Sequence, residues 1–136
     1  MSQKKILIVD DDIDISEIIK TILEMEGYEV TIAYDGMSAL DISYQKKPDL
    51  VLLDIMMPGM DGWDVLKRLK ACRKTLHIPV AMVTARINPE EKIKAFKEGA
   101  EEFITKPLHI DDFLRRINRL FHKEEEERKK YMFLLA

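Results

Sequence analysis

The sequence predicts an α/β fold, a five-stranded parallel sheet with helices on both faces. Three observations carry that expectation. Short, continuously apolar runs recur, Ile6-Leu7-Ile8-Val9 and Leu50-Val51-Leu52-Leu53 among them, as expected of strands buried on both faces. Between such runs the apolar residues fall at helical spacing. The two patterns alternate strictly, strand then helix, five times along the chain, which requires parallel strands joined by right-handed crossovers.

Taken in order, the first strand is Ile6-Leu7-Ile8-Val9. After Asp10, Asp11 and Asp12 come Ile15, Ile18, Ile19, Ile22 and Leu23, at i, i+3, i+4, i+7 and i+8, one face of an amphipathic helix. Asp12 or Asp14 caps its start and Gly27 ends it. Residues 28–33 make the second strand, and Asp35-Gly36 turns into a second helix that reaches about Lys46 and is closed by Pro48. The third strand, residues 50–53, leads into a loop with Pro58, Gly59 and Gly62, then a helix with Trp63, Leu66 and Leu69 at spacing three. Residues 78–83 make the fourth strand. Asn88-Pro89-Glu90-Glu91 opens the fourth helix with a capping Asn, Pro at the first helical position and Glu three residues after the cap. Gly99 stops that helix, Phe103-Ile104 is the fifth strand, and Phe113, Leu114, Ile117, Leu120 and Phe121 give the last helix its apolar stripe.

Composition narrows the function. The 136 residues suit one domain, and 46% hydrophobic against 35% charged residues is ordinary for a globular protein. No stretch approaches the length of apolar residues that a membrane helix needs, and the N-terminus lacks a signal-peptide pattern. Cys72, alone, makes no internal disulfide or Cys-based zinc site, which points to a reducing, cytoplasmic setting. A formal charge of −3 gives no electrostatic case for direct nucleic-acid binding. His77, His109 and His122 match no metal or phosphorelay spacing, and Trp63, Met56, Met57 and Met60 read as packing residues.

Open parallel sheets bind ligands beyond the carboxyl ends of their strands. There the polar residues gather: Asp10-Asp11-Asp12 after strand one, Asp54 after strand three, Thr84 after strand four, and Thr105-Lys106 after strand five. Converging carboxylates repel one another unless a cation is present. Hard oxygen ligands in an incomplete shell suit Mg²⁺, which keeps waters and accepts a phosphate oxygen. Lys106 adds a fixed positive charge and Thr84 a hydroxyl donor, so the group is fitted for phosphoryl transfer to Asp54.

These motifs — ILIVDDD, LLDIMMPGMDG around Asp54, VTA at 83–85 and FITKP at 103–107 — resemble those of the receiver domain of two-component response regulators, of the chemotaxis-receiver kind, over about residues 4–122. The resemblance implies a doubly wound, flavodoxin-like sheet in strand order 2-1-3-4-5. It implies that Asp54 accepts a phosphoryl group from a sensor histidine kinase or phosphotransfer protein. Asp10, Asp11, Asp54 and the backbone carbonyl of Met56 would then hold Mg²⁺, while Asp12 would not ligate it directly. Thr84 and Phe103 would be the switching pair, with Phe103 lacking the phenol hydroxyl of the tyrosine often found there. Lys106-Pro107 matches the family's cis peptide. Met56 and Arg86 stand where phosphoryl lifetime is set, and neither has a group suited to orienting water, so self-dephosphorylation is expected to be slow.

The last third of this region resembles receivers of winged-helix transcriptional regulators, which implies a homodimer through the fourth helix, fifth strand and fifth helix. Lys92, Glu101, Glu102, Asp112, Arg116 and Lys123 match its charged positions in sign, with intermolecular Lys92–Asp112 and Glu102–Arg116 pairs expected. Residues 1–122 are then the receiver domain and 123–136 a charged helical extension or linker stub, supported by Glu–Arg and Glu–Lys spacings of i, i+4 at 124–130. Its end, Tyr131-Met132-Phe133-Leu134-Leu135, suits packing on a neighbouring chain or the start of a further segment. No effector domain follows in this sequence, and the downstream protein partner is not named by it. Two other readings stand beside the signalling switch. An aspartate-nucleophile phosphatase shares the apolar strand followed by Asp-x-Asp, but needs its nucleophile after strand one and leaves Asp54 without a role. A constitutive binding module would not need the acidic cluster, Thr84 or Lys106. On the leading reading the domain is a phosphoacceptor and not an enzyme.

Overall fold

A computed structural model describes residues 3–85 and 88–135, apart from the side chains of 124–128. Five strands alternate with five helices: β1 (Lys5–Val9), α1 (Ile13–Met25), β2 (Glu29–Ala33), α2 (Gly36–Lys46), β3 (Leu50–Leu53), α3 (Gly62–Ala71), β4 (Val80–Thr84), α4 (Pro89–Lys97), β5 (Glu102–Thr105) and α5 (Ile110–Leu135). All strand pairs are parallel and the order is β2-β1-β3-β4-β5, as expected. The chain divides into two compact units, one ending at Lys106 and one beginning at Pro107.

In the first unit the central strands are apolar throughout because both faces are covered. Leu7, Val9, Val51, Leu53, Val80 and Met82 join Ala39, Leu40, Val65, Leu66, Leu69, Ala95 and Phe103 in one buried cluster with residues of α2, α3 and α4. The alternate positions, Ile6, Ile8, Leu50 and Leu52, are equally buried. They serve the opposite side of the sheet, since side chains alternate along a strand. There α1 lies along β1 and β2. Burying a leucine or isoleucine contributes about 1.5–3 kcal/mol.

Two sequence expectations shift. The buried face of α1 is Ser16, Ile19 and Leu23, with Ile18 left 60% exposed. Ser16 takes the central position because its hydroxyl donates to the Asp12 carbonyl at 2.7 Å, which lets a small polar residue sit inside. The fourth strand starts at Val80 rather than at residue 78, because Ile78 closes a turn on the Thr75 carbonyl and Pro79 has no N–H. Thr84 therefore ends the strand instead of following it. At α4, Asn88 caps through its side chain, accepting from the Glu90 N–H at 2.9 Å, with Pro89 in the first turn.

The second unit is α5, a continuous helix of 26 residues, about 39 Å long at 1.5 Å per residue. Phe113 and Ile117 are buried, whereas residues 131–135 are exposed. No helix among the described residues is long and apolar enough to cross a membrane.

Candidate functional site

The carboxyl ends of β1, β3 and β5 bring Asp10, Asp54 and Lys106 into direct contact. Asp10 follows β1 and is 3% exposed; Asp54 follows β3 and is 8% exposed. The Asp54 N–H donates to the Val9 carbonyl at 2.9 Å, which extends the β1–β3 ladder one step and ties the two aspartates together. Lys106 Nζ lies between them, 2.7 Å from Asp10 Oδ2 and 3.1 Å from Asp54 Oδ2. The lysine is aimed by its own backbone, whose N–H donates to the Thr84 carbonyl at 2.8 Å.

The remaining carboxylate oxygens are also held. Asp10 Oδ1 accepts from the Asp12 N–H at 3.0 Å, and Asp54 Oδ1 from the Met56 N–H at 3.1 Å. Asp11 is exposed, yet ligating oxygens of Asp10, Asp11 and Asp54 all lie within 4.8 Å of one another. That is a fit for one small hard cation. Asp12 instead caps α1, accepting from the Ile15 N–H at 3.1 Å.

Electrostatics follow from the crowding. Burial pushes the Asp54 carboxyl above its ordinary pKa and the Asp10 charge adds to the rise, against lowering by the Met56 N–H and by Lys106. For Lys106 burial opposes the charge. Its hydrogen bond to Asp10 and the two carboxylate charges nonetheless hold its pKa above the usual lysine value. The two carboxylates thus favour the charged form of Lys106, while burial outweighs the Met56 N–H and Lys106 at Asp54.

Thr84 is fully buried at the end of β4, paired in register with Thr105 of β5. Since Leu53 pairs with Met82, Thr84 stands one residue beyond the level of Asp54 on the adjacent strand. Phe103 is 4% exposed, in register with Met82 and part of the core cluster. Met56 is 52% exposed beside the acceptor. Arg86 lies outside the described residues. His77, His109 and His122 are exposed and join no cluster able to hold a metal among the described residues.

Two features of the site escaped the sequence reading. Gly62, the first residue of α3, donates its N–H to the Ile55 carbonyl at 2.9 Å, and a Cβ there would overlap the Asp54 carbonyl oxygen and stand 2.7 Å from Ile55 Cα. The glycine therefore lets α3 close on the acceptor's own backbone. Asp61 and Asp64 form a reciprocal capping box at the same helix start, with the Asp64 N–H 3.0 Å from Asp61 Oδ1. The PGMDG segment carried both signals, but neither glycine nor aspartate there announces which backbone it approaches.

The charged positions of the expected dimer face are partly engaged within the chain. Lys92 is exposed. Glu101 accepts from the Val80 N–H at 2.7 Å through Oε2 and faces Lys70 Nζ at 3.4 Å through Oε1. Lys70 also donates to the Ile78 carbonyl at 2.9 Å, so Glu101 closes a clamp between α3, β4 and β5. Glu102 is half-buried and accepts from the Phe103 N–H. On α5, Asp112 is paired with Arg115 at 3.1 Å and Arg116 at 3.0 Å, and the Arg115 hydrogen bond leads in lowering its pKa.

Residues 6–118 match the response regulator receiver domain. The chain belongs to that family. Receiver structures similar to this domain include a CheY-like receiver from Methanospirillum hungatei JF-1, 36% identical over 93% of this chain and 99% of that one, with a TM-score of 0.86. The chemotaxis protein CheY4 of Vibrio cholerae is 30% identical over 87% of this chain and 98% of that one, with a TM-score of 0.82. Among curated proteins, the DNA-binding dual master transcriptional regulator RpaA of Synechocystis is 40% identical over 121 residues. That alignment covers 89% of this chain and 50% of RpaA, so the chain spans about half the length of this curated relative. The receiver domain is the phosphorylation-switch module of two-component response regulators, and the observed strand order is the one this family implied.

Proposed function

We propose that this receiver domain accepts a phosphoryl group on Asp54 from the phosphohistidine of a sensor histidine kinase or phosphotransfer protein, in a Mg²⁺-dependent reaction. The observation that carries the proposal is Lys106 bridging Asp10 and Asp54 while the oxygens of Asp10, Asp11 and Asp54 converge within 4.8 Å. An Asp54 carboxylate oxygen attacks phosphorus, the phosphorus–nitrogen bond of the donor breaks, and its electron pair returns to the imidazole, which takes up a proton. Asp10, Asp11, Asp54 and the Met56 carbonyl would hold the Mg²⁺. Bound there, the ion screens the carboxylates and neutralises charge on the transferring phosphoryl oxygens.

This chain's own groups do the rest. The Met56 N–H fixes Asp54 Oδ1, and Lys106 follows the growing charge on the phosphoryl oxygens. Thr84 supplies a hydroxyl donor to that group, and Phe103 takes up the accompanying packing change from within the core. The phosphoaspartate carries about −1.5 to −2 of charge where the carboxylate carried about −1, which biases a two-state element. Met56 offers no group to orient an attacking water, so the acyl phosphate turns over slowly. The domain serves as an acceptor rather than as an enzyme on an outside substrate, and it works in the cytoplasm. Residues 1–122 are the receiver and 123–136 a helical extension.

The output is proposed to pass through protein contact, with no direct nucleic-acid or membrane binding by this domain. Homodimerisation through α4, β5 and α5 is supported by exposed Ile93 and Phe96 beside Lys92 on α4. In that dimer Asp112 exchanges its partners on α5 for Lys92 of the partner subunit, and Arg116 meets Glu102. Glu101, committed to Val80 and Lys70, contributes shape rather than a new ion pair. The test is intact mass after incubation with acetyl phosphate and Mg²⁺, for the wild type and Asp54→Asn. One added phosphoryl group on the wild type alone is the expected result; labelling of both, or of neither, overturns the assignment.

A further inference from the structure

The end of α5 carries a surface that phosphoryl transfer does not use. The helix runs unbroken to Leu135, and Tyr131, Met132, Phe133, Leu134 and Leu135 are 70–86% exposed. Ordinary surfaces expose large apolar residues singly, whereas a contiguous group marks an interface. Upstream, the sequence is ordered in charge blocks, Glu at 124–127 followed by Arg-Lys-Lys at 128–130. Lys129, Lys130, Phe133 and Leu134 line a shallow groove on the last turns. They stand at i, i+4 spacing, the groove geometry into which a second helix sets its ridge.

We infer that the C-terminal half of α5 is a self-association surface, which pairs antiparallel with the same segment of a second copy of this chain. The order of the charges selects both the occupant and the direction. In a parallel pair the acidic block would lie beside the acidic block and the basic beside the basic. In an antiparallel pair centred between residues 127 and 128, each acidic block lies beside the basic block of the partner. That arrangement is two-fold symmetric, so one surface complements itself. The same register sets residues 134–135 beside residues 120–121 of the partner, where Leu120 and Phe121 are half-buried in their own chain. Apolar contacts thus flank a charged centre at both ends.

A lipid surface fits less well. Five consecutive apolar residues surround the helix instead of forming one stripe, and a run of glutamates is repelled by anionic headgroups. The segment from 123 to 135 is about 20 Å of helix, enough for a reversible pair and less than an obligate interface buries.

The experiment uses the full chain without a phosphoryl donor, by sedimentation velocity over a concentration series. The wild type should show a monomer–dimer equilibrium, and Leu134→Asp with Leu135→Asp should weaken it at least about tenfold. Replacing Arg128, Lys129 and Lys130 by Glu, or Glu125, Glu126 and Glu127 by Lys, should each abolish dimers, and mixing these two variants should restore them. Direction is read by oxidation in a Cys72→Ser background: Glu124→Cys mixed with Tyr131→Cys should cross-link, and Tyr131→Cys alone should not. Asp54→Asn should associate like the wild type, so loss of the phosphoacceptor reading leaves this result intact. The inference is overturned by a wild type that stays monomeric at about 1 mM, by a dimer indifferent to the Leu134 and Leu135 changes, by self-cross-linking of Tyr131→Cys, or by a monomer that binds anionic vesicles.

Discussion

Replacing Gly62 by alanine sets two physical effects of opposite sign against each other. Helix propensity favours the change by up to about 1 kcal/mol, since alanine loses less backbone freedom. Packing opposes it, because the new Cβ would overlap the Asp54 carbonyl oxygen and stand 2.7 Å from Ile55 Cα and 2.9 Å from the Asp54 carbonyl carbon. Carbon atoms pack at about 3.5 Å or more, so α3 and the acceptor backbone must part by nearly 1 Å. The atoms in the way are main chain, tied into the sheet by the Asp54 N–H bond to Val9, and cannot swing aside. Overpacking of this kind costs about 1–3 kcal/mol, and stretching the 2.9 Å Gly62–Ile55 hydrogen bond adds about 1 kcal/mol. The net expectation is a destabilisation of about 1–3 kcal/mol, or a melting temperature lower by roughly 4–12 °C for a domain of this size. A shift of that order at the acceptor carboxyl should also slow labelling by acetyl phosphate by about a hundredfold. Gly59→Ala is the contrast, since its φ of +73° strains alanine but nothing lies within 4 Å of a Cβ there. It should lose about 1–2 kcal/mol while keeping its labelling rate. A Gly62→Ala protein that melts at or above the wild type and labels normally would refute the close-approach argument.

Three further outcomes follow from the same geometry. In metal-free buffer Asp54→Asn should melt higher than the wild type at pH 7, because burial raises the Asp54 pKa. The sign is that of an acid whose folded pKa exceeds its unfolded one: stability is fullest below the unfolded value and declines as pH rises through the folded one, so the two melting curves should converge toward pH 4; a wild type that gains on the variant as pH rises is the contrary result. Added Mg²⁺ should raise the wild-type melting temperature, by the equivalent of about 2.7 kcal/mol at a hundredfold excess over its dissociation constant, and Asp11→Asn should lose most of that response; equal responses in calorimetry would remove Asp11 from the ligand set. Lys106→Gln strands two aspartates that shared one cation, so chemical denaturation should show a loss of about 3–5 kcal/mol, accompanied by tighter Mg²⁺ binding in titration calorimetry; unchanged stability would mean the bridge carries little.

What the sequence disclosed and what it withheld divide along a physical line. Strand β3 appears with the expected bounds, Leu50–Leu53, because a strand covered on both faces must be apolar at every position and that demand is written locally. Asp10 and Asp54 converge because a parallel sheet aligns strand ends, so alternation of elements was enough to bring them together. Ile18 misled, because a helix with apolar residues at both edges of its stripe does not reveal which edge faces the sheet, and Ser16 settled it with a backbone bond no periodicity scores. Gly62 and the Lys70–Glu101 clamp were hidden for a related reason. Each depends on how closely two segments approach through space, which residue type alone does not encode.

The charge balance of the site bears on the proposal that these residues act as a switch and not as a static ion-pair network. Three carboxylates against one ammonium leave the cluster two charges negative, and the Asp10 charge adds to the rise that burial imposes on the Asp54 pKa. A divalent cation closes it. On the proposed chemistry, phosphorylation then reopens it, since an aspartate carrying about one charge becomes a group carrying about two. Lys106, shared at 2.7 and 3.1 Å between Asp10 and Asp54, is a single positive charge divided among these groups. The further neutral donor in the proposed mechanism is the hydroxyl of Thr84, at the end of the adjacent strand. Thr84 is wholly buried and pairs in register with β5, where Phe103 is packed in the core. On the proposed mechanism, a reorientation of that hydroxyl would alter the packing beside β5, which is the edge strand of the sheet.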